Sequence, residues 1–278
     1  MKVLLICLML VCLSWANSTG SVRIHSSCNC GWRNTARIVG GKSTRKNEYP
    51  WMASLNGCGG SIITKWHILT AAHCTDRISA SRMTVNVGLH YIFFGPNENM
   101  EKHRVARTIQ HENYDNNGDK PLNDIAVLVL ATPIKFNRYV GPICLPNSQL
   151  DILGKLVKVI GWGMTKGTGD GNVLNEVDVE VISRSECERS WPLSKIPNQL
   201  CAFALKKDSC NGDSGGPLVY HLDPVIDRFV QVALVSYGPP ACGSDPRPSV
   251  NTDIFAFSSW IQKAIAESIP EVSICITP

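Results

Sequence analysis

The sequence has no long hydrophobic run, no block of like charges and no internal repeat. Four basic residues and no acidic residue lie in the first 37 positions: Lys2, Arg23, Arg33 and Arg37. Removing these four from the 27 basic residues leaves 23, which equals the number of acidic residues. Balanced charge without a Lys/Arg cluster gives no electrostatic footprint for nucleic acid, so we expect no such partner. The 22 Gly and 16 Pro are too few for a collagenous or low-complexity chain.

The amino terminus has the pattern of a secretory signal peptide. A basic residue follows the initial Met, an apolar stretch runs from Val3 to Leu13, and Ser14-Trp15-Ala16 places small residues at its first and third positions. The apolar stretch is too short to span a membrane, which takes roughly 20 residues. A buried amino-terminal strand is the alternative interpretation. The pattern predicts a signal peptide at residues 1–16 and a secreted, extracellular protein that does not bind a membrane.

The cysteines lack the paired C-x₂-C spacing of structural zinc sites. Ten of them follow the signal peptide: Cys28, Cys30, Cys58, Cys74, Cys144, Cys187, Cys201, Cys210, Cys242 and Cys275. An even number of cysteines in an oxidising compartment favours up to five disulfides. Zinc ligation is the alternative, because the closely spaced Cys28 and Cys30, together with several His, could supply ligands.

Short β-type segments recur between clusters of Gly, Pro, Asn and Asp. Examples are Ile62–Ile63, His67–Thr70, Ala126–Leu130, Leu156–Ile160, Val177–Ile182 and Val230–Tyr237. Several short strands at such intervals indicate an antiparallel sandwich or barrel. Between Phe257 and Ile265 the apolar residues fall on one face at helical spacing, and Pro270 follows as a stop. The pattern predicts a mainly β domain with one helix packed on its core.

Three separated motifs carry residues suited to nucleophilic catalysis. Residues 212–216 read Gly-Asp-Ser-Gly-Gly, a tight loop that can present the hydroxyl of Ser214. A Ser hydroxyl needs a base within hydrogen-bond reach, and His73 in the Ala-Ala-His-Cys motif is the candidate. Asp124 opens an apolar strand and is the candidate for orienting that base. Each motif alone is more often a turn or a solvated side chain, so only their combination indicates a catalytic site.

In the order His, Asp, Ser, these motifs resemble the trypsin/chymotrypsin family of serine proteases. The resemblance covers residues 38 to about 268, and the short Cys-x-Cys segment before it is similar to those of invertebrate secreted digestive or venom proteases. It implies an all-β fold of two packed six-stranded antiparallel β-barrels with a C-terminal α-helix. It also implies a serine endopeptidase, a hydrolase, in which Ser214 is the nucleophile, His73 the base and Asp124 the residue that fixes the His tautomer. The backbone N–H groups of Gly212 and Ser214 are expected to form the oxyanion hole.

The resemblance extends to activation. Arg37-Ile38-Val39-Gly40-Gly41 is similar to the family's zymogen cleavage site, with the cut between Arg37 and Ile38. The new ammonium of Ile38 is expected to pair with Asp213. The implied organisation is a propeptide at residues 17–37 and a trypsin-like protease domain at residues 38–278.

Substrate preference is implied by four residues of the specificity pocket. Asp208 matches the pocket-floor carboxylate that favours Arg or Lys before the cut. Ser236 and Gly238 match the wall of the pocket, where their backbone groups pair with an extended substrate as with an added strand. Ser249 stands where trypsins usually have Gly, and Asn251 where they usually have Tyr. Because the Ser249 hydroxymethyl group could narrow the pocket, a chymotrypsin- or elastase-like preference is the alternative.

The resemblance also implies the disulfides Cys58–Cys74, Cys187–Cys201 and Cys210–Cys242. Cys144 matches the family's anchor for a propeptide cysteine, so Cys28 or Cys30 is expected to reach it, and Cys275 to take the other. Leu89 stands where calcium-binding members have a Glu ligand. We therefore expect no metal and no cofactor.

The expected partners are protein or peptide substrates, an activating protease and protein inhibitors, and the expected state is a monomer. A catalytically silent homologue that acts as a secreted binding protein is the alternative of a different class. His73, Asp124 and Ser214 are all present, which favours the enzyme.

Overall fold

The computed structural model describes residues 23–26, 28–34, 44–55, 57–116, 120–163, 171–191, 198–204, 213–239, 246–269 and 271–277. Several predicted features lie outside these residues: the signal peptide, Arg37, Ile38, Asp208, Gly212, Cys210 and Cys242. No helix within the described residues is both long and apolar enough to cross a membrane.

Strands outnumber helices in the described chain, by fourteen to two. In chain order these are β1 (Arg23–His25), β2 (Met52–Leu55), β3 (Cys58–Thr64), β4 (His67–Thr70), β5 (Thr84–Val87), β6 (Glu101–Gln110), β7 (Ala126–Leu130), β8 (Leu156–Gly161), β9 (Asn175–Ile182), β10 (Gln199–Phe203), β11 (Pro217–Asp223), β12 (Arg228–Tyr237), β13 (Ser249–Asp253) and β14 (Ser273–Cys275). The helices are α1 (Arg184–Ser190) and α2 (Ser258–Ser268), with 3₁₀ turns at Ala72–Cys74 and Ala80–Arg82.

Twelve of these strands form two closed antiparallel barrels. The first has the order β2-β3-β4-β7-β6-β5 and the second β10-β13-β12-β11-β8-β9. Each barrel encloses an apolar interior, built around residues such as Ile62 and Leu128 in the first and Val159 and Leu218 in the second. Closure removes the open strand edges that would otherwise invite aggregation. The double barrel with its C-terminal helix confirms the predicted fold class.

Helix α2 packs across the first barrel and the C-terminal segment. Ile261, Ala264 and Ile265 are its buried residues, and they join a core cluster that includes Trp51 and Ile274. The i, i+3, i+4 spacing of these side chains explains why the segment folds as an amphipathic helix on this surface.

Helix α1 begins at a capping box. The Ser183 hydroxyl accepts a hydrogen bond from the Glu186 backbone N–H, and the Glu186 carboxylate accepts one from the Ser183 backbone N–H. These bonds satisfy N–H groups that a helix start otherwise leaves without partners.

The segment before the predicted cleavage site is joined to the C-terminal segment. Strand β1 pairs in parallel with β14, with Ile24 opposite Ile274. Trp32 then forms an isolated bridge with Arg228, so the segment also contacts the second barrel.

Candidate active site

Strand pairing in the first barrel brings His73 and Asp124 together. Strands β4 and β7 are antiparallel, with Thr70 opposite Ala126. His73 lies three residues beyond Thr70 and Asp124 two residues before Ala126, so both residues leave the barrel at the same end. Asn123 adopts a positive φ of 50°, which turns the chain immediately before Asp124.

The carboxylate of Asp124 is fully buried and held by several donors. Its Oδ2 lies 2.8 Å from His73 Nδ1, and its Oδ1 accepts a 2.9 Å hydrogen bond from the His73 backbone N–H. Ser236 Oγ donates to Oδ2 at 2.6 Å, and Thr252 Oγ1 donates to the Asp124 carbonyl at 2.8 Å. A buried charge is tolerated only with such partners. The arrangement fixes both the position of the carboxylate and the orientation of the imidazole.

The pKa of His73 is raised above its usual value near 6.5. Burial of the imidazole lowers the pKa, because it disfavours the charged ring. The hydrogen bond to Asp124 and the negative charge of that carboxylate raise it, and together they outweigh the effect of burial. The side chain retains 23% exposure, so solvent or a substrate can still reach the ring.

Ser214 lies in a tight turn between the two barrels. Its carbonyl accepts a 2.8 Å hydrogen bond from the Gly59 backbone N–H of the first barrel, and the N–H of Gly215 donates to the Val235 carbonyl of the second at 2.8 Å. Gly215 has a φ of 74°, and a Cβ there would lie 2.2 Å from Thr70 Oγ1. The turn therefore requires glycine both for its conformation and for its space.

The Cys58–Cys74 disulfide contacts both His73 and Ser214. Cys74 Sγ lies 3.6 Å from His73 Nε2 and 3.5 Å from the Ser214 carbonyl oxygen. The structure thus brings both residues to the same sulfur atom. The hydrogen bonds among the described residues include none between Ser214 Oγ and His73 Nε2.

The Asp213 carboxylate occupies a niche lined by glycines. Its Oδ1 accepts a 2.8 Å hydrogen bond from the Gly163 backbone N–H. A Cβ at Gly161 would lie 2.1 Å from Oδ1, and one at Gly163 would lie 2.3 Å from Oδ2. The predicted partner of Asp213, the amino group of Ile38, falls outside the described residues.

The predicted pocket wall is partly defined. Gly238 is exposed and follows the last residue of β12. Ser249 is buried, and its hydroxyl donates to the Ala202 carbonyl at 3.1 Å and lies 3.3 Å from Asn251 Nδ2. The Ser249 hydroxyl is therefore bound to strand β10.

All eight described cysteines form disulfides. The pairs are Cys28–Cys275, Cys30–Cys144, Cys58–Cys74 and Cys187–Cys201. The two groups of side chains in the described residues that are close enough to share a metal ion consist mainly of these cysteines. A sulfur in a disulfide has no thiolate to offer a metal, so zinc ligation by these residues is ruled out.

Comparison with known proteins identifies the family of the chain. The family described as Trypsin matches residues 38–261. The chain belongs to the trypsin family of serine proteases. Family membership supports a serine peptidase, a hydrolase, as the class of the protein.

The trypsin-family relatives include insect proteins. "Venom serine protease 34" of Apis mellifera is 34% identical over 92% of the chain, which spans 64% of that relative's length. "Venom serine protease" of Polistes dominula is 34% identical over 86% of the chain and 89% of its own length. "CLIP domain-containing serine protease HP8" of Bombyx mori is 35% identical over 84% of the chain and 70% of its own length.

Some residues around this trypsin-family site were not identified from the sequence. Ser236 was assigned only to the pocket wall, yet its hydroxyl contacts Asp124. The bond from Thr252 to the Asp124 carbonyl was not foreseen, because neither spacing nor residue type marks it. The grouping of Lys120 and Arg247 around Trp191 was also missed, since three distant chain segments meet there.

Proposed function

We propose that this trypsin-family protein is a secreted serine endopeptidase that hydrolyses peptide bonds after Arg or Lys. It is made as a zymogen with a signal peptide at residues 1–16, a propeptide at 17–37 and a protease domain at 38–278. The observation that carries the proposal is the bond between His73 Nδ1 and the fully buried Asp124 carboxylate. A buried acid that orients a partly exposed His is the arrangement required to activate a Ser nucleophile.

The chemistry follows from the two nitrogens of His73. Because Nδ1 donates to Asp124, Nε2 is the nitrogen left to take the proton of Ser214 Oγ. Ser214 attacks the scissile carbonyl, His73 passes the proton to the leaving amine, and water then hydrolyses the acyl-enzyme. The backbone N–H groups of Gly212 and Ser214 stabilise the oxyanion. Catalytic hydrogen bonds are often long in free enzymes and tighten with substrate, which accommodates the missing Ser214–His73 bond.

Activation proceeds through Asp213. Cleavage between Arg37 and Ile38 creates an ammonium group that pairs with the Asp213 carboxylate. The glycine-lined niche supports this role, because it leaves no room for a Cβ beside the carboxylate and holds it next to Ser214. Breaking a buried ion pair of this kind costs roughly 3–5 kcal/mol, enough to couple cleavage to ordering of the site.

Cleavage after Arg or Lys rests on Asp208. A long cation that enters a partly desolvated pocket is stabilised by a carboxylate at its floor. The Ser249 hydroxyl already donates a hydrogen bond to the Ala202 carbonyl. It therefore needs no partner inside the pocket, which supports a pocket that still admits a long side chain.

The partners are protein or peptide substrates, an activating protease and protein inhibitors, and the enzyme works as a monomer. Names among the relatives, such as "Melanization protease 1" of Drosophila melanogaster and the venom serine proteases, support an extracellular setting with protein substrates.

The test is to cleave the purified zymogen at Arg37 and treat it with a fluorophosphonate probe. We expect an adduct on Ser214 in the cleaved protein, much slower labelling of the uncleaved protein and no adduct in Ser214→Ala. Fluorogenic peptides with Arg, Lys, Phe or Ala before the cut then report specificity. An unlabelled cleaved protein would establish the silent homologue, and faster cleavage after Phe or Ala would overturn the Arg/Lys assignment.

A further inference from the structure

Two cations meet at one buried tryptophan ring. Trp191 follows helix α1, and the Cζ of Arg247 lies 4.4 Å from its ring centroid, while the Nζ of Lys120 lies 5.4 Å from it. The ring of Tyr237 lies 5.6 Å away in an edge-on arrangement. The indole Nε1 donates a 3.0 Å hydrogen bond to the Pro248 carbonyl, which fixes the ring. We call Lys120, Trp191, Tyr237 and Arg247 the tryptophan–cation cluster.

The cluster lies beside the strand that receives an extended substrate under the proposed function, on which this inference rests. Tyr237 is the residue between Ser236 and Gly238, whose backbone groups are the expected pairing partners of the substrate. Tyr237 is partly exposed and Gly238 is exposed, so this edge is accessible. An extended peptide rises about 3.3 Å per residue. The third and fourth residues before the cut therefore lie about 7–10 Å upstream of the residue in the specificity pocket.

The chemistry of the cluster suits an anion. Trp191 is only 6% exposed, so its ring offers little open surface to an apolar side chain. None of the ion pairs among the described residues involves Lys120. A cation above an aromatic face keeps its charge available at the outer side. A substrate carboxylate that approaches such a cation is attracted to it, and the attraction is stronger where water is partly excluded.

We propose that the tryptophan–cation cluster binds an acidic side chain of the substrate at the third or fourth residue before the scissile bond. The substrates are then protein segments in which Asp or Glu precedes the cleaved Arg or Lys by two or three residues. Lys120 determines this preference, whereas Trp191, packed against Tyr237, positions the Lys120 ammonium group.

The first experiment uses the activated enzyme and fluorogenic peptides with Arg before the cut. At the third and fourth residues before it, Glu is compared with the isosteric neutral Gln. We expect kcat/KM to be about 3- to 10-fold higher for Glu at one of these positions, mainly through KM, as for partly exposed ion pairs. Raising the salt concentration to 1 M should bring the ratio close to one, because salt screens such charges.

The second experiment changes the cation. In Lys120→Glu the ratio of kcat/KM for the Glu peptide to that for the Gln peptide should fall below one, and in Lys120→Gln it should fall partway. The matched control is Lys102→Glu, an exposed residue on β6 that makes the same change in net charge. It should keep the wild-type ratio. Because each ratio is measured within one enzyme, a change in overall activity does not affect it.

The outcomes separate this inference from the proposed function. A wild-type enzyme that cleaves Arg peptides with a ratio near one overturns the inference and leaves the proposed function intact. A ratio that Lys102→Glu lowers as much as Lys120→Glu also overturns it, since the effect is then one of overall charge. Failure to cleave every Arg peptide overturns the proposed function and this inference with it.

Discussion

At the scale of single residues, the raised pKa of His73 predicts the acid side of the pH profile. Below its pKa the imidazole is protonated and cannot accept the Ser214 proton, so kcat/KM falls. Because Asp124 more than offsets the effect of burial, we expect the midpoint of this fall above pH 6.5. The measurement is kcat/KM against pH with one Arg peptide. A midpoint well below 6.5 would contradict the importance of the Asp124 charge.

The same pair predicts the effect of Asp124→Asn. Without the carboxylate, only burial acts on the pKa of His73, so the midpoint should move below 6.5. The kcat should fall about 10⁴-fold, the size of effect found when a triad carboxylate loses its charge.

The raised pKa of His73 also makes the stability of the native protein depend on pH. The raised pKa stabilises the native protein fully below the unfolded value near 6.5, and this gain is lost as pH rises through the folded value.

Ser236 gives a third prediction at this scale. Ser236→Ala removes the 2.6 Å hydrogen bond to Asp124 and leaves more negative charge facing His73. We expect kcat/KM to fall about 10-fold, as for a hydrogen bond to a charged group, and the acid midpoint to move to higher pH. The control is Ser61→Ala, which breaks an equally short buried bond to Gln231 away from the carboxylate. An equal shift of the midpoint in the control would contradict a specific role for Ser236.

At the scale of elements, the turn that carries Ser214 depends on Gly215. Gly215→Ala combines a positive φ with a Cβ that would lie 2.2 Å from Thr70 Oγ1 and 2.8 Å from the Gly59 carbonyl. We expect a loss of thermal stability and a much slower fluorophosphonate reaction at Ser214. Gly154→Ala separates the two causes, because Gly154 has a similar φ of 70° and open space around its Cβ position. Gly154→Ala should lower the free energy of unfolding by only about 1 kcal/mol, through backbone strain. Similar losses in both variants would show that crowding at Gly215 is unimportant.

Strands with an apolar pattern could be predicted from the sequence, and others could not. The predicted segments His67–Thr70 and Ala126–Leu130 coincide with β4 and β7, because both strands are buried along their whole length. Strand β6 was missed because its outward side chains include charged residues such as Lys102 and Arg104. Strands β1 and β14 were missed because three residues carry no periodic signal. Their parallel pairing depends on how the ends of the chain meet.

The features of the candidate site also fall into two groups, those that the sequence predicts and those that it does not. Residues of the motifs could be proposed from the sequence, since His73, Asp124 and Ser214 lie in characteristic local contexts. The contacts of Ser236 and Thr252 with Asp124 could not, because each joins side chains or backbone groups more than a hundred residues apart. Such contacts are set by the packing of one barrel on the other, which local patterns do not encode.

At the scale of the whole molecule, the two barrels contribute different parts of the site. The first supplies His73 and Asp124, and the second supplies Ser236 and Thr252, which bind Asp124 across the interface. The turn with Ser214 is hydrogen-bonded to both barrels. The geometry of the candidate active site is therefore a property of the interface between the barrels. Under the proposed function, changes that alter the packing of the barrels should act on activity as well as on stability.

The segment before Arg37 is held against the rest of the molecule by several contacts. It is attached through Cys28–Cys275 and Cys30–Cys144, through the pairing of β1 with β14, and through a bidentate ion pair of Arg33 with Asp227. Charge-assisted bidentate contacts are among the stronger polar interactions. We therefore expect the propeptide to stay bound after the cut, as a light chain with two independent covalent links.

This expectation can be tested by removing the links one at a time. After cleavage at Arg37, the double variant Cys30→Ser/Cys144→Ser should retain the light chain on a non-reducing gel, because Cys28–Cys275 still joins it to the C-terminal segment. The variant Cys28→Ser/Cys275→Ser should retain it through the other link. Only removal of both pairs, or reduction, should allow denaturing electrophoresis to separate the chains. Release of the light chain from the first variant without reductant would contradict the Cys28–Cys275 link, and with it the covalent attachment of the C-terminal segment to the propeptide.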